Sequence, residues 1–285
     1  MKFTNILRIW LICSLLPSSL IAGDIVRKDY NFNASKSKPL RIRLEIDAGK
    51  IKIVPGRDDT EISLHFRYDK ERYELSVDFD EDDNYLRVYF DIDKWFKDHD
   101  EDGFTARMRI ELPTEVVIEF ACETKASECD IELGGLYIRE FELHVLMGET
   151  SVSFSRPNKD KIIELDIDTK FGELRVDKLG NANFEYANIN GVVGSLIIDL
   201  TSDIDIRTDR EIDIDLNIGE TRLYLAENEA IRFKISKFLF FTSLDIPPEF
   251  YKRGNYYYSD NFDHSKYKTK ISVSPGLGTL DIRIR

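Results

Sequence analysis

Apolar and charged residues alternate with a period of two through most of this chain, and the phase of the alternation slips at glycines. Ile212, Ile214, Leu216 and Ile218 alternate with Asp213, Asp215 and Asn217, as in a strand with one apolar and one charged face. Beyond Gly219 the apolar phase passes to Thr221, Leu223 and Leu225. A one-residue slip sends every later side chain to the opposite face unless the backbone bends or bulges there. Glycine supplies the φ that such a bend needs. The unit reads strand, glycine corner, strand.

The unit recurs along the chain. Ile42, Leu44, Ile46 and Ala48 precede Gly49, and Ile51 and Ile53 follow it. Ile131 and Leu133 precede Gly134; Phe141, Leu143, Val145 and Met147 precede Gly148. Leu165, Ile167 and Phe171 precede Gly172; Ile189 and Val193 precede Gly194; Ile271, Val273 and Leu277 precede Gly278. These apolar residues are expected on the inner face. In one further copy Phe240 takes the glycine's place, and from Gly148 to Phe240 the corners lie 24, 22, 25 and 21 residues apart.

A period of that size predicts an all-β chain built as a β-solenoid, single-stranded and β-helix-like, in which each rung buries its apolar face by stacking on its neighbours. Strands joined at a glycine also describe β-hairpins stacked in a sandwich, and the spacing leaves that alternative open. Between Gly56 and Cys122 the repeat gives way to ordinary alternating strands over Glu61–Tyr68, Tyr73–Phe79, Tyr85–Ile92 and Ala106–Leu112. These are expected to form an N-terminal β-subdomain or a cap that protects the solenoid end from edge-to-edge pairing. The expected division is 1–23 signal peptide, 24–125 N-terminal β-subdomain with the first repeat, and 126–285 solenoid with a capping insert near 247–268.

The first 23 residues have the grammar of an export signal: Lys2 and Arg8, an apolar stretch from Ile9 to Leu16, and small residues at Ala22 and Gly23. That stretch is too short to span a bilayer, and no later run approaches 18 apolar residues. The mature chain is therefore expected in the periplasm or at the cell surface without a transmembrane segment. Removal of Lys2 and Arg8 takes the formal net charge from −13 to −15. Such a balance repels nucleic acid and anionic membrane surfaces.

The stretch from Gly219 to Asn228, the Leu244–Pro247 segment, the tyrosine-bearing loop and the stretch from Ile271 to Ile282 together resemble the bacterial toast-rack family. That family is similar to the C-terminal domain of cell-wall-active regulators and to the repeats of candidate adhesins. The resemblance extends from about Leu40 to Arg285 and implies an exported or envelope-facing β-helical domain without a known catalytic activity. The chain departs from the family pattern at Phe240, in the insert Pro247–Lys268, and in carrying no membrane helices of the regulator type.

Candidate chemistry is sparse. Asp98, Asp100 and Asp102, followed by Gly103, have the 1-3-5 carboxylate spacing of a calcium loop, but Arg109 stands where a bidentate Glu would. Calcium is the one cofactor this spacing suggests; an acidic, solvated turn is the plainer reading. Cys122 and Cys129, an even pair in an exported chain, are either a disulfide or two small buried thiols. Asp203, Asp205, Asp213 and Asp215 are expected to form a carboxylate ladder. The four histidines, His65, His99, His144 and His264, stand alone, and no nucleophile elbow or phosphate loop is present.

Tyr256, Tyr257 and Tyr258 with Arg253 form a candidate recognition surface, or else fold back as a cap over the last rungs. The expected function is a non-enzymatic, adhesin-like interaction module whose partner is an envelope protein or glycan. The alternatives are a polysaccharide-active β-helix enzyme using surface carboxylates and a calcium-stabilised structural protein.

Overall fold

The computed structural model describes residues 24–92, 106–236 and 241–285. The expected export signal, the calcium-loop residues Asp98, Asp100 and Asp102, and Phe240 lie outside the described residues.

The chain begins with β1 (Ile25–Asn33), β2 (Leu40–Pro55), β3 (Glu61–Asp69), β4 (Tyr73–Asp80), β5 (Tyr85–Ile92) and β6 (Arg107–Leu112). Five long strands follow: β7 (Val117–Glu132), β8 (Tyr137–Ser153), β9 (Ile162–Asp177), β10 (Phe184–Asp199) and β11 (Arg210–Leu225). The C-terminal part holds β12 (Ile231–Ile235), β13 (Phe241–Asp245), β14 (Tyr251–Arg253), β15 (Tyr256–Tyr258), β16 (Thr269–Ser274) and β17 (Leu277–Ile284).

Strands β2, β7, β8, β9, β10 and β11 stack in parallel, in that order. The parallel ladder excludes the hairpin alternative, since hairpin arms pair antiparallel. Each long strand is one bent rung. Its corner residues form a single column through Gly49, Ser127, Gly148, Gly172, Gly194, Gly219 and Gly278. The six glycines of that column have φ between 136° and 153°. The stacking is so close that a Cβ on Gly194 would lie 1.7 Å from the carbonyl oxygen of Gly172.

Two details differ from the expected pattern. Gly134 is not a corner: β7 ends before it, at Glu132, and its corner is Ser127, whose Oγ is hydrogen-bonded to the Thr124 hydroxyl. Gly134 instead belongs to the tight connection between β7 and β8. The boundary expected at residues 125/126 likewise falls within β7, inside one continuous hydrogen-bonded sheet.

The second difference concerns the corner itself, which spans four residues. In β11 the inner side chains are Ile212, Ile214 and Leu216, then Thr221, Leu223 and Leu225, while Asn217 through Glu220 face outward or edge-on. The residue just before each glycine is therefore outside. Met147, Phe171, Val193, Ile218 and Leu277, expected inside, are exposed. The reason is geometric: a bend turns the strand around its own inner face, so side chains at the apex point away from the angle.

The two arms of every rung direct their inner side chains into that angle, where they merge into one apolar cluster running from Leu40 to Ile282. Phe120 and Phe141 stack at 5.5 Å between adjacent rungs. Burial of each such side chain is worth about 1.5–3 kcal/mol. Segments returning from one rung to the next cover the open side with Leu133, Leu136, Phe154, Leu179 and Leu200. Their buried polar groups are satisfied locally: Asn181 donates from Nδ2 to the Phe154 carbonyl at 2.9 Å, and Asn158 to that of Ile138 at 2.8 Å.

The ends of the stack are built differently. At the N-terminal end β5 pairs with the first arm of β2 and β6 with its second arm; β4 then covers β5, and β3 and β1 extend β6. At the C-terminal end spatial order departs from chain order. β16 and β17 lie between β11 on one side and β12 with β13 on the other, all in parallel. The last strands of the chain thus enter a slot left between two earlier rungs.

The glycine column sets a measurable limit. Gly194→Ala combines an unfavourable φ with a backbone collision and is expected to cost roughly 3–5 kcal/mol in urea unfolding. Gly254, at φ 66° with nothing within 4 Å, provides the control. Gly254→Ala should cost only about 1 kcal/mol. Equal losses at the two sites would refute the carbonyl contact as the constraint.

Candidate functional site

The tyrosine-rich insert forms a β-hairpin, with β14 and β15 antiparallel and β15 laid antiparallel along β12. Its rings are engaged with the solenoid end. Tyr257 stacks on Phe233 at 4.9 Å, and Tyr258, buried, meets Phe262 edge-on at 5.3 Å. Arg253 lies 4.2 Å above the Tyr258 ring and is ion-paired with Asp263 at 3.0 Å. Arg232 covers the Tyr256 ring at 4.7 Å. Tyr256, Tyr257, Tyr258 and Arg253 thus share one hairpin, with most of their ring surface spent on the last rungs.

Cys122 and Cys129 are separate, buried thiols on the two arms of one rung. Burial raises the pKa of both, that of Cys129 to about 12, so neither carries the thiolate needed for exchange chemistry. Among the described residues no three metal-capable side chains converge.

The outer face of the first arms is acidic. Glu119, Glu140 and Glu164 stand in register on β7, β8 and β9, and Glu142, Asp166 and Asn188 form a second row. With Arg41, Arg43 and Tyr85, the five carboxylates of these rows line a shallow depression of about 390 Å³. Asp213 and Asp215 of β11 belong to this face. Asp203 and Asp205 do not: they sit in the loop before β11, where Asp203 accepts from Lys178 at 2.7 Å. The ladder expected from four aspartates is instead assembled mainly from residues of β7, β8 and β9.

His144 sits within this field. It contacts Glu142 through Nε2 at 2.6 Å and Asp168 through Nδ1 at 3.2 Å. Burial opposes its protonation, but the hydrogen bond to Glu142 and the charge of Asp168 outweigh it and raise its pKa above 6.5. Elsewhere one ion pair is deeply buried. Arg210 bonds Glu229 at 2.6 Å and donates to the Thr269 hydroxyl, tying β11 to β16 and to the loop before β12.

Sequence reasoning missed one surface. The residues preceding each corner glycine align in register: Met147 beside Phe171, Phe171 beside Val193, Val193 beside Ile218, and Ile218 beside Leu277. All five are between 39% and 51% exposed. At the usual strand separation they make a straight apolar ridge roughly 19 Å long. The flanking row after the glycines carries Glu149, Glu173 and Glu220, all exposed. Single exposed apolar residues are ordinary; a continuous line of five is not. The signal was legible as an apolar residue before every one of these glycines.

Two outcomes follow. A base whose folded pKa is raised contributes stability that is complete below its unfolded pKa and is lost as pH rises through the folded value. The His144 midpoint in an NMR titration should therefore exceed 6.5 and fall on Asp168→Asn; an unchanged midpoint would remove Asp168 as a cause. Tyr257→Ala should lose about 1.5–3 kcal/mol in thermal or urea unfolding. A neutral effect would show that its ring does not belong to the cap.

No curated protein matches the chain. Among solved structures, a candidate cell adhesion protein from Clostridium sporogenes ATCC 15579 is similar at 14% identity and TM-score 0.44, covering 91% of this chain and 100% of its own. A candidate adhesin from Bacteroides fragilis NCTC 9343 is similar at 12% identity and TM-score 0.33, over 90% of this chain and 96% of its own. A candidate lipid binding protein from Parabacteroides distasonis ATCC 8503 is similar at 10% identity and TM-score 0.39, over 92% and 98% respectively. The family model described as the N-terminal domain of toast_rack, DUF2154, matches residues 21–177. More than half of the chain, from before β1 to the end of β9, carries that match, and the protein belongs to the toast-rack family.

Proposed function

We propose that this protein is an exported, non-enzymatic β-solenoid that works as an interaction module of the cell envelope, in the periplasm or at the cell surface. The observation that carries the reading is the apolar ridge from Met147 to Leu277, held on a stack of parallel rungs and edged by glutamates. The ridge suits a protein partner with an apolar groove and a basic rim, because apolar contact supplies the affinity and the glutamates fix orientation. The export signal grammar of residues 1–23 supports the compartment. Among the described residues no helix is long and apolar enough to cross a membrane.

The non-enzymatic reading is supported by the way the carboxylates stand. Glu119, Glu140 and Glu164 project side by side from one sheet face, whereas glycoside hydrolysis needs two carboxyl groups facing each other across the scissile bond.

The test is a photo-cross-linking residue placed at position 171 in living cells, with position 140 on the acidic face as control. A recurrent protein adduct at 171 and not at 140 is expected. Phe171→Glu should weaken that complex at least tenfold while changing unfolding free energy by less than about 0.5 kcal/mol, as surface substitutions do. Recovery of the chain from the cytoplasm, or equal adducts at both positions, would defeat the proposal.

A further inference from the structure

The N-terminal end carries a charge arrangement that the fold does not require. Across β1, β3, β6 and β2, Arg27 stands opposite Arg67, Arg67 opposite Arg107, and Arg107 opposite Lys50. All four are exposed. Like charges directly opposite on neighbouring strands destabilise a sheet. Lys50 is answered by Glu128 at 2.5 Å, but Arg27, Arg67 and Arg107 have no acidic partner among the described residues.

The neighbouring row on the same strands is the internal comparison. There Asp29, His65, Arg109 and Lys52 align, and each base has an acid: His65 with Asp29 at 2.7 Å, Arg109 with Glu111 at 2.8 Å, and Lys52 with Asp130 at 2.5 Å. One row is neutralised and the adjacent row is left open. Both rows line one surface depression of about 430 Å³, whose carboxylates, Asp29, Glu128 and Asp130, are those already paired with His65, Lys50 and Lys52. The open row stands on a chain whose formal net charge is −13.

We propose that this row is a binding site for an acidic polysaccharide, with one oxyanion of the glycan held at each strand. Guanidinium groups pair with carboxylate, sulfate or phosphate through two parallel hydrogen bonds, and three arginines left free of acids are ready to do so. Cations one strand apart repeat at about 4.8 Å, close to the length of one sugar ring. An extended acidic peptide presents same-face side chains only every 6.8 Å or so, and falls out of step.

Beyond Lys50 the same row continues as Glu128, Glu149 and Glu173. Those carboxylates repel a rigid duplex or a flat anionic bilayer lying along the sheet, whereas a flexible glycan can leave the surface after the three charged sugars held by the arginines. The site is separate from the corner ridge and stands whether or not the ridge has a partner.

The experiment measures retention of the full chain on immobilised dextran sulfate and polygalacturonate, with uncharged dextran as control, at increasing salt. Retention on both polyanions, lost as salt rises, is expected. Arg67→Glu should weaken it roughly tenfold or more and Arg67→Glu with Arg107→Glu should abolish it, while Arg175→Glu on the same sheet should leave it within about twofold. Arg67→Gln keeps the test independent of folding, and thermal unfolding of the Arg67 and Arg107 variants should be unchanged or improved because an unfavourable opposition is relieved. Failure of the native chain to be retained, or equal loss with Arg175→Glu, overturns the site. So does binding confined to phosphatidylglycerol vesicles, or self-association that Arg67→Glu removes without any polyanion binding. Phe171→Glu should bind the polyanions as the native chain does, so failure of the ridge and failure of this site are told apart.

Discussion

At five corners of this solenoid, from Gly148 to Gly278, a carbonyl oxygen occupies the space that a Cβ would need. The oxygen of Gly172 fills that position over Gly194, and the oxygen of Gly194 does so over Gly219. This contact lets successive bends nest without a gap, and nesting is what keeps the inner side chains of both arms aligned from rung to rung. A side chain in the column would push neighbouring rungs apart and break the ladder on both arms together. Ser127, the exception, bends without the positive φ of the glycines, and its carbonyl oxygen fills the place a Cβ on Gly148 would need.

Alignment has a consequence for the surface. In a parallel stack in register, whatever stands at one position of a rung is repeated at strand spacing on the next. A weak preference at one position therefore becomes a row. Apolar residues before the corner glycines become the ridge from Met147 to Leu277, and carboxylates on the first arms become an acidic field; the antiparallel N-terminal strands add an unneutralised line of arginines by their own register. Each of these rows costs some stability, by exposing apolar area or by opposing like charges, and none is needed to hold the core together. Their joint presence on a rigid scaffold is the physical basis for reading the molecule as a display of contact surfaces.

The ends of the stack solve the problem that any solenoid has, an open strand with unpaired backbone groups. The N-terminal end divides the terminal rung between β5 and β6 and adds antiparallel strands to each. The C-terminal end uses the tyrosine hairpin to cover β12 and draws β16 and β17 into the slot beside β11. Filling that slot joins segments far apart in the chain, β16 and β17 with β11. The buried Arg210–Glu229 pair lies at this closure, and it leaves a costly unpaired charge if the slot is misassembled.

The period-two alternation, the repeated glycines and their spacing sufficed to derive an all-β chain of strands cornered at glycines, because alternation and φ preference act locally and leave their mark residue by residue; the choice of solenoid rungs over hairpins fell to the parallel ladder. Val145 and Thr150, or Leu216 and Thr221, could be placed inside on that basis. Sequence order could not show that Ser127 rather than Gly134 turns β7, since a serine that bends without a positive φ bears no local mark of a corner. It could not turn Phe171 or Ile218 outward, because apolar character says nothing about which side of a corner a residue takes. Nor could it bring Arg27, Arg67 and Arg107 together, as these lie on strands joined only by the sheet. Pairing between distant strands is decided by how the whole stack closes, and that is where tertiary structure alone assigned the surfaces from which function is read.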